Sequence, residues 1–376
     1  MKRNNIIYLD NASTTLPNDE VVLLYEQIEK EFFANPNSIH KLGVLANNYL
    51  SKARESILNS FSCKSHRVIF TSSSSEANNL AIKGYCLNYL NRGKHIITSN
   101  VEHPSVLECF KQLEDEFGFK VTILEVSDEG VISLDDLKCA LNDDTILVSL
   151  MVVNNEVGSI NNISEIIKII KGYSKVSLHV DTTQAIGKIS LPYNDIDMFV
   201  ISSHKIHGLK GSGCLIAKKN ISFMPLISGG GQEEGFRSGT QSVALACSLA
   251  KAVKLATKNK DNHVRELNAL LRSELAKIDG IHLNSNDKCS PYILNFSLTK
   301  KKASVVVEAL SNENIFVSSI SSCHSRKETS SYVVKAMFDD EKLAGNTVRV
   351  SLDETNTRED IETFIFSLKA ILENIK

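Results

Sequence analysis

No Cys-x-x-Cys pair occurs in this chain, although it holds eight cysteines. They lie at positions 63, 86, 109, 139, 214, 247, 289 and 323 of 376 residues. Scattered in this way, they form neither a disulfide framework nor a zinc ribbon. Most are expected to be small, buried apolar residues. An excess of one charge is also missing. The 42 basic and 44 acidic residues are interspersed and leave a formal net charge of -2, so there is no electrostatic footprint for nucleic acid or a membrane surface. No apolar run approaches the ~20 residues that span a bilayer. The N-terminal MKRNNIIYLD has basic residues but no apolar core of signal-peptide length. A cytoplasmic location is expected. Internal repeats and long low-complexity tracts are absent too, although residues 318–331 are rich in serine.

What is present is a chain with 42% hydrophobic residues, long enough to bury one large core and a smaller one. After Pro17, the apolar residues Val21, Leu24, Tyr25, Ile28 and Phe32 recur at helical spacing, with Asn18 or Asp19 as cap. A second amphipathic helix carries Leu42, Leu45, Ala46, Tyr49, Ala53 and Ile57. Short β-branched runs then alternate with helical patterns: Val68–Phe70, Ile96–Thr98, Val121–Val126, Ile146–Val153 and Val176–Val180. That alternation predicts an α/β fold with a mostly parallel central sheet covered on both faces. Near residues 255–262 the composition turns polar. A helical pattern through Leu267–Leu275, strands at 292–298 and 347–352, and a final helix over 358–374 follow, predicting a smaller α+β domain.

In such sheets, ligands bind at the carboxyl ends of the strands. The polar residues there are Ser72–Glu76, Glu102-His103, Asn154–Glu156, Asp181–Gln184 and Ser202–Lys205. The apolar run Met198–Ile201 stops abruptly at Ser-Ser-His-Lys, as a buried strand does when it delivers a side chain to its end. A lysine held there can lose solvation and proton affinity and so become a nucleophile; a lysine chosen at random would merely cap a strand. Serines opening a helix suit a phosphate, although such runs usually just cap. A carboxylate after a buried strand needs a cationic partner, either a structural ion pair or a protonated ring nitrogen of a ligand. His103 is either structural or the cover of a planar ring.

Nucleotide readings fail. Gly208–Gly213 has the spacing GxxGxG, the reverse of the dinucleotide fingerprint. Gly230–Gly235 is followed by Phe-Arg where a P-loop needs Lys and Ser or Thr. His204 and His207 lack a third metal ligand at usual spacing, so no metal is expected. A phosphate cradle, a ring cover, a carboxylate for a ring nitrogen and a buried lysine are together what pyridoxal 5'-phosphate requires.

The chain resembles the class V, NifS/IscS-like cysteine desulfurases of the pyridoxal-phosphate fold type I. Blocks in the same order carry the likeness: IYLDNASTT from Ile7, NPNSIHKLG from Asn35, FTSSSSEANNLAIKG from Phe70, HIITSNVEH from His95 and NNEVG from Asn154. HVDTTQAIGK from His179, SSHKIHGLKGSG from Ser202, GGGQEEGFRSGT from Gly229, VSSISSC from Val317 and TVRVSL from Thr347 follow. The resemblance implies that Lys205 forms the Schiff base and that His103 stacks on the cofactor ring. It also implies that Asp181 pairs with the pyridine nitrogen and Gln184 with the ring oxygen, while Ser74, Ser75, Ser202 and His204 hold the phosphate. Thr240 would reach the cofactor phosphate of a neighbouring subunit, implying a homodimer. Asn155 and Arg349 would clamp the carboxylate of the substrate L-cysteine, and Cys323 would take its sulfur as a persulfide, leaving alanine. A protein sulfur acceptor, in iron–sulfur cluster or tRNA thiolation pathways, would follow. Activation of the thiol would then fall to the neighbouring His324, Arg326 and Lys327. A large domain over 15–257 and a small one over 1–14 plus 258–376 are expected.

The chain departs from the family pattern at Ser73 and Ile320, where glycine is usual, at Leu209 for proline, and at Ser322 and His324. Two other readings are a selenocysteine lyase or another class V enzyme, and a degenerate, non-catalytic homologue. Retention of Lys205, Asp181, His103, Arg349 and Cys323 together argues against the last.

Overall fold

Strands that are apolar on both faces must lie inside a covered sheet, and the chain has several. In a computed structural model that describes residues 6–258, 262–319 and 330–374, the strands are β1 (Ile7–Tyr8), β2 (His66–Thr71), β3 (His95–Ser99), β4 (Lys120–Leu124), β5 (Thr145–Met151), β6 (Ser177–Asp181) and β7 (Met198–Ser202). They continue with β8 (Gly213–Lys218), β9 (Ile281–Leu283), β10 (Ile293–Leu298), β11 (Ile315–Phe316), β12 (Ser318–Ser319) and β13 (Thr347–Ser351). Every residue of β3, β5 and β7 is buried. The large sheet has the order β2-β8-β7-β6-β5-β3-β4. Its pairs are parallel except that β8 runs against both β2 and β7, so the expected mostly parallel sheet contains one reversed strand. The carboxyl ends of β2, β7, β6, β5 and β3 therefore open on one edge. Cys323, Ile320, Ser322, His324, Arg326 and Lys327 lie outside the described residues.

The helices that cover the sheet start where their caps dictate. Asn18 accepts from the Glu20 N–H at the head of Asp19–Glu31. His103 caps Pro104–Phe117, with the proline in the first turn, where its missing N–H costs nothing. Lys41–Ser60 buries Ala46, Leu50, Ala53 and Ile57 along one stripe, each large side chain contributing about 1.5–3 kcal/mol. One apolar run outlasts its strand. Beyond Met151, Val153 leaves the sheet to bridge Ile160. The turn between them is closed by Gly158 N–H to Asn154 O at 3.0 Å, and it presents Asn155 and Glu156.

A smaller antiparallel sheet has the order β12-β13-β10-β9, backed by the helices Ala303–Asn312 and Arg358–Asn374. The amino-terminal strand β1 pairs with β11, and the Ser351 N–H reaches Leu9 O at 2.7 Å. From there the chain crosses to the large sheet, where Thr15 N–H bonds His204 O at 2.9 Å. Residues 10–15 thus form a strap laid across the strand ends.

Candidate active site

The strand ends and the strap enclose a cavity of about 320 Å³. Lys205 closes a short turn after β7 (Ser203–Lys205) and is half-buried at the cavity wall. Its ammonium donates to Ala12 O at 2.5 Å and Ser13 O at 2.8 Å. Gln184 Nε2 donates to the same Ala12 carbonyl at 2.9 Å. The strap therefore supplies the acceptors for the lysine, a part of the site that strand-end reasoning overlooked.

Asp181 ends β6 and is buried at the cavity wall. Its carboxylate accepts from Thr183 N–H at 2.9 Å and from Asn78 Nδ2, also at 2.9 Å. The Asn78 amide donates to Ser105 Oγ as well, at 2.9 Å. Ser105 Oγ in turn lies 2.8 Å from His103 Nδ1, which also accepts the Ser105 N–H. Asn78 is 1% exposed and sits within the helix Ser74–Asn79. It joins the carboxylate proposed for a ring nitrogen to the imidazole proposed to cover that ring. Sequence reasoning gave it no role, because a lone Asn inside a helix carries no signal of what it faces.

The phosphate candidates divide. Ser74, Ser75 and His204 line the cavity. Ser73 has an extended backbone (φ -170) and caps the helix by accepting the Glu76 N–H. A side chain is therefore allowed where the family usually has glycine. Ser202 does not line the cavity; its hydroxyl is buried with no partner among the described residues. Burial, with Lys205 and Lys210 nearby, pushes His204 down to about 4, so its imidazole is neutral at pH 7. Thr240 is exposed in a separate cleft, with Ser72 and Arg237, and is not brought to Lys205 within this chain. Arg237 bonds Glu76 at 2.8 Å, and Glu76 in turn accepts from the Ser72 N–H at 2.8 Å. The Thr240 loop is thereby tied to the serine loop.

On the small-sheet side, Arg349 of β13 enters the cavity. Its Nη1 donates to Asn155 O at 2.8 Å, and Nη2 to Asp10 Oδ1 at 2.9 Å and Ser13 Oγ at 2.6 Å. Arg349 Nε and Asn155 Oδ1 are buried without partners among the described residues. Ser318 and Ser319 of β12 line the same cavity. Deeper, His179 and Glu102 are fully buried. Burial drives His179 down to about 4, against the pull of Asp181, and drives Glu102 up to about 8; both are neutral at pH 7.

The fold also gives His207 neighbours that sequence spacing could not reveal. Its Nε2 lies 2.8 Å from Asp353 Oδ2, and Glu354 is adjacent. This contact links segments that follow β7 and β13, and the hydrogen bond and charge of Asp353 raise the His207 pKa against the effect of burial.

The chain matches the aminotransferase class-V family over residues 7–364. A "NifS/IcsS protein homolog" of Lactobacillus delbrueckii subsp. bulgaricus is 39% identical to it, over 98% of this chain and 98% of that relative. A "Cysteine desulfurase IscS" of Dictyoglomus turgidum is 38% identical, over 100% and 96%. The solved structure of a "NIFS-LIKE PROTEIN" superposes with a TM-score of 0.91 at 34% identity, covering 98% of this chain and 100% of that one. With its strand-end pocket and near full-length likeness to such relatives, the chain belongs to the aminotransferase class-V family.

Proposed function

We propose that the protein is a pyridoxal-phosphate-dependent cysteine desulfurase. It converts L-cysteine to L-alanine and carries the sulfur as a persulfide on Cys323 for transfer to a protein acceptor. The observation that carries this reading is the convergence of Lys205, Asp181, His103, Gln184 and Arg349 on one cavity, in a chain whose relatives bear that name. The residues fit the cofactor. Gln184 Oε1 and Thr183 Oγ1, of residues lining the cavity, are buried polar atoms without partners among the described residues, a state that ordinarily costs about 1–3 kcal/mol each unless a ligand satisfies them. Ser74, Ser75 and His204 would hold the phosphate, Asp181 the ring nitrogen and Gln184 the ring oxygen, with His103 against the ring face.

When bound, the cofactor supplies an aldehyde for the amino group and a ring that withdraws electrons from Cα. The chain's residues do the rest. Arg349 and Asn155 hold the substrate carboxylate. Lys205 Nζ would carry the proton at Cα, with the Ala12 and Ser13 carbonyls within reach to orient it. The Cys323 thiolate attacks the substrate sulfur. The new S–S bond forms as the substrate's Cβ–S bond breaks, and Cβ takes up a proton, so one cysteine and one thiol yield one alanine and one persulfide. Ser319 lines the cavity, and four residues of chain reach at most ~14 Å, which allows Cys323 to meet the substrate there. Thr240, held in its outer cleft, would complete the partner's phosphate site in a homodimer. No helix among the described residues is long and apolar enough to cross a membrane.

The test is an assay of purified holoprotein with L-cysteine and a reductant. Alanine and sulfide should form in equal amounts. Cys323→Ser should keep the cofactor's visible absorption and lose sulfide release; full activity in that variant would overturn the nucleophile assignment.

A further inference from the structure

The guanidinium of Arg349 does not wait empty-handed for a substrate. Its side chain is 8% exposed, and its ion-pair partner Asp10, on the strap, is 22% exposed. Nη2 serves two acceptors, Asp10 Oδ1 and Ser13 Oγ, and Ser13 Oγ itself donates to Asp10 Oδ1 at 2.8 Å. Nη1 is anchored on Asn155 O. Nε is buried without a partner among the described residues.

This pattern matters because of how the fork binds carboxylates. A bidentate carboxylate needs neighbouring N–H groups along one edge of the guanidinium, either Nε with Nη2 or Nη1 with Nη2. Nη2 belongs to both edges, and Nη2 is the nitrogen held by Asp10 and Ser13. The unpaired Nε marks one edge as half open. An incoming carboxylate can complete that edge only by taking Nη2 from its present partners. The guanidinium cannot shed its charge, and a buried cation without a counter-ion is strongly destabilising. Asp10 meets that need in the contact seen here, and a substrate carboxylate would meet it when bound, charge for charge.

We propose that Asp10 is a resident counter-ion for the substrate-binding arginine, displaced from Arg349 Nη2 by the carboxylate of the amino-acid substrate. It is a positioning residue that sets how tightly, and how selectively, carboxylate-bearing amines bind. This rests on the reading of Arg349 as the substrate-carboxylate site. Asp10 keeps the fork oriented between substrates and competes with each one that arrives. Because it lies on the strap that also supplies the Ala12 and Ser13 carbonyls to Lys205, its displacement and the lysine's release involve the same short segment.

The experiment titrates holoenzyme with L-alanine and with ethylamine, its analogue without the carboxylate, following the cofactor's visible absorption. Asp10→Asn, which keeps the shape and removes the charge, should bind L-alanine about three- to tenfold more tightly, the range for a partly exposed ion pair. Ethylamine binding should not change. KM for L-cysteine should fall by a similar factor, with kcat held within about twofold. Arg349→Lys should weaken L-alanine and leave ethylamine unaltered; if it alters neither, the substrate-carboxylate reading itself fails. If Arg349→Lys behaves as stated while Asp10→Asn leaves L-alanine binding unchanged or weakens it, the competitor role is wrong. Should Asp10→Asn fail to fold, wild-type holoenzyme crystallised with L-alanine decides. The 2.9 Å contact between Asp10 and Nη2 should be replaced by the ligand carboxylate, and its persistence beside a bound carboxylate would refute the exchange.

Discussion

Replacing Glu102 by Gln tests whether this buried carboxyl, bonded to the backbone of the cavity-lining Met151, is neutral. Glu102 is 0% exposed. One carboxyl oxygen accepts from Ser99 Oγ at 2.8 Å and Met151 N–H at 2.9 Å; the other has no partner among the described residues. Burial raises its pKa to about 8, the two hydrogen bonds pull it back in part, and the nearby Asp181 charge adds to the rise. The group therefore holds its proton at pH 7, leaving Asp181 free of a second negative charge beside it. A carboxyl whose folded pKa is raised stabilises the fold fully below its ordinary pKa, and that contribution is lost as pH climbs through the folded value. From the ordinary 4.5 to about 8, the whole loss is roughly 5 kcal/mol, of which roughly 3 kcal/mol falls between about pH 5.5 and pH 8.5. Gln has nearly the same shape and no proton to lose. Unfolding of wild type and Glu102→Gln by denaturant, at both pH values, should show the variant gaining about that much relative to wild type at the alkaline end. A stability gap that stays flat with pH would show that Glu102 is not held neutral.

Removing the Asn78 amide (Asn78→Ala) breaks its bonds to Asp181 and Ser105 together. Loss of a buried hydrogen bond to a charged group, about 1.5–3 kcal/mol, should weaken pyridoxal-phosphate binding at least tenfold when apoprotein is reconstituted and followed by absorption; unaltered affinity would leave Asn78 a packing residue. Burial alone would lower the His207 pKa, but the hydrogen bond and charge of Asp353 outweigh it, and the net shift is upward. Both ring nitrogens face oxygen atoms, Leu16 O and Asp353 Oδ2, so the doubly protonated ring suits them. Its contribution is present in full below the ordinary pKa of histidine and fades as pH rises through the raised value. His207→Asn tolerates the left-handed backbone there (φ 61). It should cost about 1–2 kcal/mol near pH 6 and measurably less near pH 9, and an equal cost at both would contradict the ion pair.

The strand ends were legible because a central strand must be apolar on both faces. Polar residues at its end, such as Asp181–Gln184 after β6 or Ser202–Lys205 after β7, therefore stand out against the run before them. The N-cap Asn18 and the final helix Arg358–Asn374 were legible for a similarly local reason. The rest depends on contacts that no local pattern encodes. Asp10 meets Arg349 across 339 positions of sequence, and Asn78 meets Asp181 across 103. In both cases an ordinary polar residue gains its role only when another element folds against it. The reversal of β8 is of the same kind, since an apolar run does not record the direction in which it pairs.

The central claim is that Lys205 holds the cofactor in this cavity. Borohydride reduction of the holoprotein, followed by mass spectrometry of its peptides, tests it most directly. A single reduced pyridoxyl phosphate adduct on Lys205 is the predicted result; an adduct on another lysine, or none in protein purified with its colour, would contradict the account.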